Sequence, residues 1–303
     1  MKREQHPWIS TSAEDVLASY REALQERDAL HAATIRNYLS DLRHFMAWCE
    51  TSWQEGLFPE VAFRLSNLTT PLIAQYRAYL LTALRLKPAS INRMLVSIKR
   101  FSAWATERDM LASDPARAVP LVAQPDRQPR FLSDAEEQRL LTAVATAAPL
   151  RDRAIVVTLL RTGLRVHELC ALPIAHTDLS PQGARIIVVG ERARTREVPL
   201  DALTRDTLSR YVPTRPSAAS ALFVGSRANQ PLTERTVGRI VHTYASQADI
   251  DDLSPQDLRN RFGHRIAQTL PLQEVARLLG HTSLTSTMRY FAAPAGPRSD
   301  SER

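Results

Sequence analysis

The sequence predicts a mainly α-helical protein with one small β-hairpin, arranged in two domains. Apolar residues recur at helical spacing along most of the 303 residues. The period changes only at residues 184–200, where a β-branched run, a polar turn and a second short run are typical of a hairpin. A proline-rich stretch at residues 119–130 interrupts the helices, which indicates a linker between the two domains.

Four amphipathic helices are predicted in residues 1–118. The second begins near Thr34, and Pro71 and Pro88 occupy the tolerated first turns of the third and fourth. The outer faces of the second and fourth helices carry basic side chains: Arg36, Arg43, Arg93, Lys99 and Arg100. A charged helix face is usually only solvated surface, but two such faces in one bundle favour contact with DNA phosphates.

Composition limits the class of protein. The chain has 39 Lys and Arg against 32 Asp and Glu, and its net charge of +7 favours an anionic partner such as nucleic acid. Cys49 and Cys170 lie far apart, which indicates neither a disulfide framework nor a metal site. The first residues lack the apolar segment of a secretory signal, and every apolar run is too short to span a bilayer. We therefore expect a cytoplasmic protein with no membrane contact.

The second domain is predicted at residues 131–293, followed by a flexible tail at 294–303. Ser133 with Glu136 is typical of a capping box at the start of a helix. Further on, Gly280 follows an apolar-periodic helix, at the position where a residue with positive φ commonly ends a helix. Ser283 or Thr285 is expected to cap a short helix that would carry the next tyrosine.

Three segments of this domain place chemically useful residues at turns: TGLRVHEL, SPQDLRNRF and LLGHTSLTSTMRY. The first two contain Arg165 and Arg259, and a guanidinium is always charged and can hold two phosphate oxygens. The third contains His281 and Tyr290. A tyrosine hydroxyl becomes a nucleophile only when its neighbours take its proton and stabilise charge. Without the arginines, the third segment is equally typical of a helical hairpin with a surface histidine.

Together, in this order and spacing, the three segments resemble the active-site boxes of tyrosine recombinases of the lambda-integrase type. The layout is most similar to the Xer-type and transposon recombinases. The stretches TIRNYLSDLRHFMAW and SINRMLVSIKRFSAWA resemble the family's core-binding domain, so the likeness covers nearly the whole chain. The resemblance implies a helical core-binding, DNA-binding domain at 1–118 and an α+β catalytic domain at 131–293.

By this resemblance, Tyr290 attacks the scissile phosphodiester and forms a 3′-phosphotyrosyl bond. Arg165, Arg259 and His281 would surround the phosphate and stabilise its charge in the transition state. Double-stranded DNA is then the partner, bound by a homotetramer or together with a partner recombinase. The strands would be exchanged through a Holliday junction, and neither a metal nor another cofactor is needed.

Two positions depart from the family pattern. Gln256 stands where the family has histidine, and Glu191, after Gly190, stands where it has the lysine that protonates the leaving oxygen. Arg192 or Arg194 would supply positive charge if the turn shifts, so the expected catalytic set includes Gln256 and Arg192. Arginine is nevertheless a weak proton donor.

Two functions therefore remain open. The first is a site-specific recombinase with a reduced rate. The second is a DNA-binding protein of the same fold with weak or lost catalysis. Retention of Tyr290 with both arginines favours the enzyme.

Overall fold

The computed structural model separates the chain into two units, Met1–Arg127 and Gln128–Arg303. The structure describes residues 7–27, 30, 32–54, 62–124, 130–190, 194–216, 218–225 and 232–291. Within these ranges, no helix has the length and apolar character needed to cross a membrane. Glu191, Arg192 and the predicted tail at 294–303 lie outside the described residues.

The described residues of the first unit form four α-helices: α1 (Thr11–Arg27), α2 (Ala32–Gln54), α3 (Thr70–Thr82) and α4 (Pro88–Glu107). Their apolar stripes meet in one core with many aromatic rings, among them the fully buried Tyr20, Phe45, Tyr76 and Phe101. α3 begins where Thr69 accepts the backbone N–H of Leu72, with Pro71 in the first turn. The helices predicted from periodicity are confirmed.

The second unit is helical around a small sheet. Its elements in chain order are α5 (Asp134–Ala147), α6 (Leu150–Thr162), α7 (Val166–Ala171), β1 (Thr177–Asp178), β2 (Arg185–Val189), β3 (Thr195–Pro199), α8 (Ala202–Tyr211), α9 (Glu234–Gln247), α10 (Pro255–Ala267), α11 (Leu272–Leu279) and α12 (Thr285–Met288).

The sheet is antiparallel, in the order β1-β2-β3. The predicted hairpin is confirmed as β2 and β3, with Ile186 opposite Val198 and Val188 opposite Arg196. All four of these side chains are buried. The structure adds β1, which is only two residues long and therefore has no periodicity for a sequence pattern to reveal.

Helix ends in this unit follow the local chemistry of the sequence. Ser133 and Glu136 form the predicted capping box of α5, and Ser254 with Asp257 forms another at α10. α6 and α11 both end at left-handed glycines, Gly163 with φ 61° and Gly280 with φ 65°. Positive φ at Gly280 is therefore confirmed.

The end of the third box differs from the prediction. α12 stops at Met288, so Tyr290 lies just beyond the short helix and not on it. Leu284 occupies the N-cap position and makes no side-chain cap bond, so neither Ser283 nor Thr285 is the cap. The hydroxyl of Thr287 instead bonds to the ring of His281.

Candidate active site

Glu168 is the buried carboxylate at the centre of the site. It lies in α7, and its side chain is only 2% exposed. Oε2 accepts the backbone N–H of Arg165 at 2.7 Å, and Oε1 accepts Arg165 Nη1 at 3.1 Å. Arg196, on β3, donates to both oxygens at 2.7 Å. The carboxylate thus orients Arg165 while a second, bidentate guanidinium neutralises it.

The Glu168 carboxyl is ionised at every physiological pH. Burial alone would raise its pKa, but the hydrogen bonds and charge of Arg196 outweigh burial. Together with the N–H and charge of Arg165, they lower the pKa to about 2. Glu168 is therefore a fixed hydrogen-bond acceptor and takes no part in proton transfer near neutral pH.

Arg196 also connects the sheet to the end of α11. Its Nε donates to the carbonyl of Leu278 at 2.9 Å. A Cβ at position 280 would lie 2.8 Å from Arg196 Nη1. Gly280 is therefore required for two reasons, its left-handed backbone and the close approach of this guanidinium.

Backbone carbonyls position the two arginines of the predicted boxes. Arg259 is buried and donates to the carbonyl of Gly163 at 2.5 Å and to that of Leu279 at 2.6 Å. Arg165 donates from Nη2 to the carbonyl of Gly280 at 3.1 Å. These carbonyls lie at the C-terminal ends of α6 and α11, where the helix dipole favours a cation.

Arg259 keeps its charge although it is enclosed. Burial and, after it, the nearby charge of Arg165 lower the pKa of Arg259 to about 10. The group is therefore protonated at neutral pH. The repulsion between the two arginines is a stored electrostatic cost, which an anion bound between them would relieve.

His281 is held in one tautomer. Its Nε2 lies 3.1 Å from Arg259 Nη2, which can only donate, so Nε2 is the acceptor. The proton of a neutral ring then lies on Nδ1, which donates to the Thr287 hydroxyl at 2.8 Å. In this arrangement His281 supports Arg259, whereas the family resemblance implied that His281 surrounds the phosphate with the two arginines.

The charge around His281 keeps its ring neutral. Burial, followed by the positive charge of Arg259 and Arg165, lowers the pKa of His281 to about 4. A bound phosphate would act in the opposite direction, because an anion favours the protonated ring.

Tyr290 is buried, with 2% exposure. Its ring stacks on that of His281 at a centroid distance of 5.9 Å and an angle of 15°. The ring also lies directly over Gly263, where a Cβ would come within 2.9 Å of Cδ1 and Cε1. Its hydroxyl donates to Asn260 Oδ1 at 3.4 Å. The structure thus brings the predicted tyrosine, histidine and arginines together.

An open pocket of about 280 Å³ lies beside these residues. Arg165, Gln256 and Arg259 line it, and Glu234 and Gly238 of α9 form another part of its wall. A phosphate group fits the chemistry of two guanidiniums and a primary amide. Tyr290 is not among the lining residues.

Gln256 and Arg192 were expected in place of the family's histidine and lysine, and the structure describes only the first of them. Gln256 is exposed, lines the pocket and donates from Nε2 to Asn260 Oδ1 at 3.1 Å. Arg192 lies outside the described residues, and its role stays a prediction. Arg194 is described and is exposed at the base of the hairpin turn.

Family models match both units. The model described as the phage integrase family matches residues 130–295, and the phage integrase N-terminal SAM-like domain matches residues 17–109. The tyrosine recombinase XerC of Myxococcus xanthus is 31% identical over 293 residues, which cover 92% of this chain and 93% of that relative. The chain belongs to the phage integrase family. It is a tyrosine recombinase, an enzyme of site-specific DNA recombination.

Solved structures show the same fold. The Tn1549 transposon integrase in complex with transposon right end DNA has a TM-score of 0.72 at 16% identity, covering 93% of this chain and 96% of that one. The lambda integrase dimer bound to a COC′ core site has a TM-score of 0.69 at 19% identity, covering 95% and 79% respectively. The fold predicted for the recombinase from its sequence is confirmed.

The basic residues predicted to contact DNA have additional roles in the first unit of the recombinase. Arg93 donates to the buried carboxylate of Asp41 at 2.5 Å, although its own side chain is 41% exposed. Arg43 pairs with Glu14 at 2.6 Å. Arg36 is exposed on α2.

Two further predicted contacts lie on α4. Lys99 donates to the carbonyls of Ala116 and Arg117 at 2.6 and 3.0 Å. The guanidinium of Arg100 lies over the ring of Tyr38, 5.7 Å from its centroid. DNA contact by all five basic residues stays a prediction, and for Arg43, Arg93 and Lys99 it would be shared with a structural role.

Sequence reasoning missed three residues of the site in the recombinase: Arg196, Asn260 and Thr287. Arg196 and Val198 lie two residues apart on β3 and therefore share the buried face of the strand, where an arginine needs a partner. The alternation of exposed and buried residues along β3 was the available signal. For Asn260, the only signal was its spacing of four residues from Gln256, which puts both on one helix face.

Proposed function

We propose that this recombinase cleaves DNA through Tyr290, with the scissile phosphate bound between Arg165 and Arg259. The open pocket beside the buried tyrosine carries this proposal, because both guanidiniums line it and a guanidinium can hold two phosphate oxygens. In the proposed step the Tyr290 oxygen bonds to phosphorus, the bond to the 5′-oxygen breaks, and a 3′-phosphotyrosyl linkage remains. Water then receives the phenol proton, and the released 5′-oxygen gains one.

The two arginines act mainly in the transition state. Negative charge grows on the non-bridging oxygens as Tyr290 attacks, and guanidiniums already fixed by carbonyls and by Glu168 need no reorganisation. Removing one preorganised donor typically costs roughly 10²–10³ in rate. His281 contributes by holding Arg259, and Gln256 adds a neutral donor at the edge of the pocket.

Proton transfer to the leaving oxygen is the weak point of the proposed mechanism. Of the described residues that line the pocket, Arg165 and Arg259 direct N–H groups at backbone carbonyls, and Gln256 does not titrate. Donation therefore falls to water or to the hairpin turn with Arg192 and Arg194, which predicts slow cleavage.

We propose that the recombinase works in the cytoplasm on double-stranded DNA as a homotetramer or with a partner recombinase. The apolar residues Leu284, Met288 and Phe291 support assembly, because they are 47%, 60% and 44% exposed and lie close together in sequence, at and just beyond α12. Grouped exposed apolar residues are typical of a protein contact. Strand exchange in pairs through a Holliday junction would follow from two DNA sites held by four protomers.

Covalent trapping tests the proposal. DNA crosslinked to the protein in cells would first be sequenced to recover the recombination site. A nicked duplex with that site would then trap the cleaved intermediate, because the small 5′ fragment diffuses away. We expect a slow covalent adduct with the wild-type chain and none with Tyr290→Phe. Adduct formation by Tyr290→Phe, or wild-type binding without any adduct, would contradict the proposal.

A further inference from the structure

Asn260 accepts a hydrogen bond from the hydroxyl of the nucleophile, and the proposed mechanism gives it no role. It lies one turn after Gln256 on α10 and is buried. Its amide makes three contacts in the described structure. Nδ2 donates to the carbonyl of Arg130 at 3.4 Å, while Oδ1 accepts Gln256 Nε2 at 3.1 Å and the Tyr290 hydroxyl at 3.4 Å.

These contacts determine which way the amide faces. The carbonyl of Arg130 can only accept, so the nitrogen of Asn260 must point to it and the oxygen must point to Tyr290. The amide of Gln256 donates to the same oxygen, which agrees with that orientation. The Tyr290 hydroxyl is therefore the donor, and its proton points at an amide oxygen.

An amide oxygen can hold that proton but cannot remove it, because amides do not titrate near neutral pH. For attack, the hydroxyl must release its proton and its oxygen must reach the phosphorus. The hydrogen bond to Asn260 thus stabilises the phenol before the reaction and is lost as the transition state forms. An interaction that stabilises the ground state alone lowers the rate of the chemical step.

The surroundings of Tyr290 are consistent with a held position. The ring of Tyr290 fits over Gly263, where an added Cβ would lie 2.9 Å from ring atoms Cδ1 and Cε1. The backbone carbonyl of Tyr290 lies 3.1 Å from His264 Nδ1. Phe131 packs edge-on against the Tyr290 ring, with the two ring centroids 6.3 Å apart. The residue is 2% exposed and does not line the pocket that contains the arginines.

We infer that Asn260 is a positioning residue that holds the nucleophile in a resting position until the scissile phosphate is bound. The inference rests on the proposed role of Tyr290. Gln256 would connect the phosphate site to Asn260, since its amide lines the pocket and also donates to the Asn260 oxygen that binds Tyr290. Its second N–H remains available to a phosphate while the first stays on Asn260.

The test is the single-turnover cleavage rate of Asn260→Leu on the nicked duplex at saturating DNA. Leucine has a similar volume but offers no acceptor. Loss of one neutral hydrogen bond from the ground state should raise the rate roughly 2- to 10-fold, with DNA affinity unchanged. A merely structural residue would not give this result, because damage to the fold slows an enzyme.

Three variants complete the experiment. Asn260→Ala removes the same acceptor with a smaller side chain and should also accelerate cleavage. Asn92→Leu is the matched control, because Asn92 is a buried amide of the first unit that bonds to the backbone of Val122, and it should cause no acceleration. Tyr290→Phe tests the nucleophile separately.

The outcomes separate the two claims. An adduct that persists in Tyr290→Phe refutes the proposed nucleophile. If Tyr290 is required but Asn260→Leu and Asn260→Ala cleave at or below the wild-type rate, or no longer bind DNA, the holding role of Asn260 is wrong. Acceleration in both, with the Asn92→Leu control unchanged, supports it.

Discussion

Each unit of this recombinase contains a buried carboxylate bonded to an arginine, and the two are arranged differently. Asp41 in the first unit accepts Arg93 at 2.5 Å and the Ser97 hydroxyl at 3.0 Å, both from α4. Glu168 in the second unit accepts Arg165 but is paired most closely with Arg196. In the first unit, Arg93 donates to Asp41 directly. In the second, Glu168 orients one arginine, Arg165, and is neutralised by another, Arg196.

This division leaves Arg165 available for an anion. A guanidinium that is the sole partner of a buried carboxylate has most of its charge compensated. Because Arg196 supplies the bidentate pair, Glu168 can fix the direction of Arg165 without cancelling its field in the pocket. Arg93, by contrast, donates directly to Asp41 of α2, so it serves the packing of α2 and α4 first.

The largest effect is expected from Arg196→Met. Glu168 would then be buried with Arg165 as its remaining described partner, which should cost about 3–5 kcal/mol in the free energy of unfolding. Cleavage should fall by roughly 10² or more, because Arg165 would be compensated. Chemical denaturation and adduct formation measure the two quantities.

Adding Glu168→Leu to that variant distinguishes the causes. The double variant should recover much of the stability, because no uncompensated charge remains, while cleavage stays low because Glu168 no longer orients Arg165. Recovery of the rate in the double variant would show that Glu168 is not an orienting group.

The second-largest effect is expected from acid, which should destabilise the second unit. The folded pKa of Glu168 is about 2, against an ordinary 4.5, so its contribution is fully present above about pH 4.5 and is lost as pH falls towards 2. The shift corresponds to about 3 kcal/mol. Unfolding of wild type and Glu168→Gln across this range should converge at low pH, and a constant difference would contradict the assignment.

His281 gives an additional acid response at higher pH. Its folded pKa is about 4, below the ordinary 6.5, so the folded state favours the neutral ring and stability falls as pH drops from about 6.5 towards 4. His281→Asn should remove that part of the pH dependence. Denaturant unfolding at pH 7, 5.5 and 4.5 checks it.

A moderate effect is expected from Asp41→Asn in the first unit. Arg93 loses its charged partner but is 41% exposed and can turn to water, so about 1–3 kcal/mol of unfolding free energy should be lost. The cleavage rate at saturating DNA should not change. A rate loss comparable to that of Arg196→Met would mean that Asp41, like Glu168, supports cleavage and not only the packing of its unit.

The smallest effect on stability is expected at the surface of the first unit. Arg43 pairs with Glu14, which is 45% exposed, and Arg43→Gln should change stability by less than about 1 kcal/mol. If Arg36 and Arg43 bind phosphates, each glutamine variant should weaken binding to all DNA sequences and reduce the salt slope by about one. Weakening confined to one DNA sequence would indicate base contacts instead.

Local chemistry made most of the fold predictable from the sequence. The helix end at Gly280, the capping box at Ser133 and the hairpin of β2 and β3 each depend on residues within a few positions, and all were predicted. The three segments with Arg165, Arg259 and Tyr290 were also found, because each is a short local pattern.

Long-range contacts could not be predicted in the same way. Asn92 is buried and bonds to Val122, thirty positions away. Arg196 bonds to Leu278 across 82 positions, and the Arg93 pair with Asp41 spans 52. Such partners depend on packing between elements, which periodicity does not encode.

The carbonyls that hold the two arginines have a consequence for how the site tolerates mutation. Gly163, Leu279 and Gly280 supply main-chain oxygens, which no exchange of their own side chains can delete. A saturation library should therefore reveal these acceptors only indirectly. At Gly163 any larger residue would place its Cβ 2.3 Å from Phe262 Cδ1 in an unfavourable left-handed backbone. At Leu279 most substitutions would keep the main-chain oxygen that binds Arg259, so the library would not identify this acceptor.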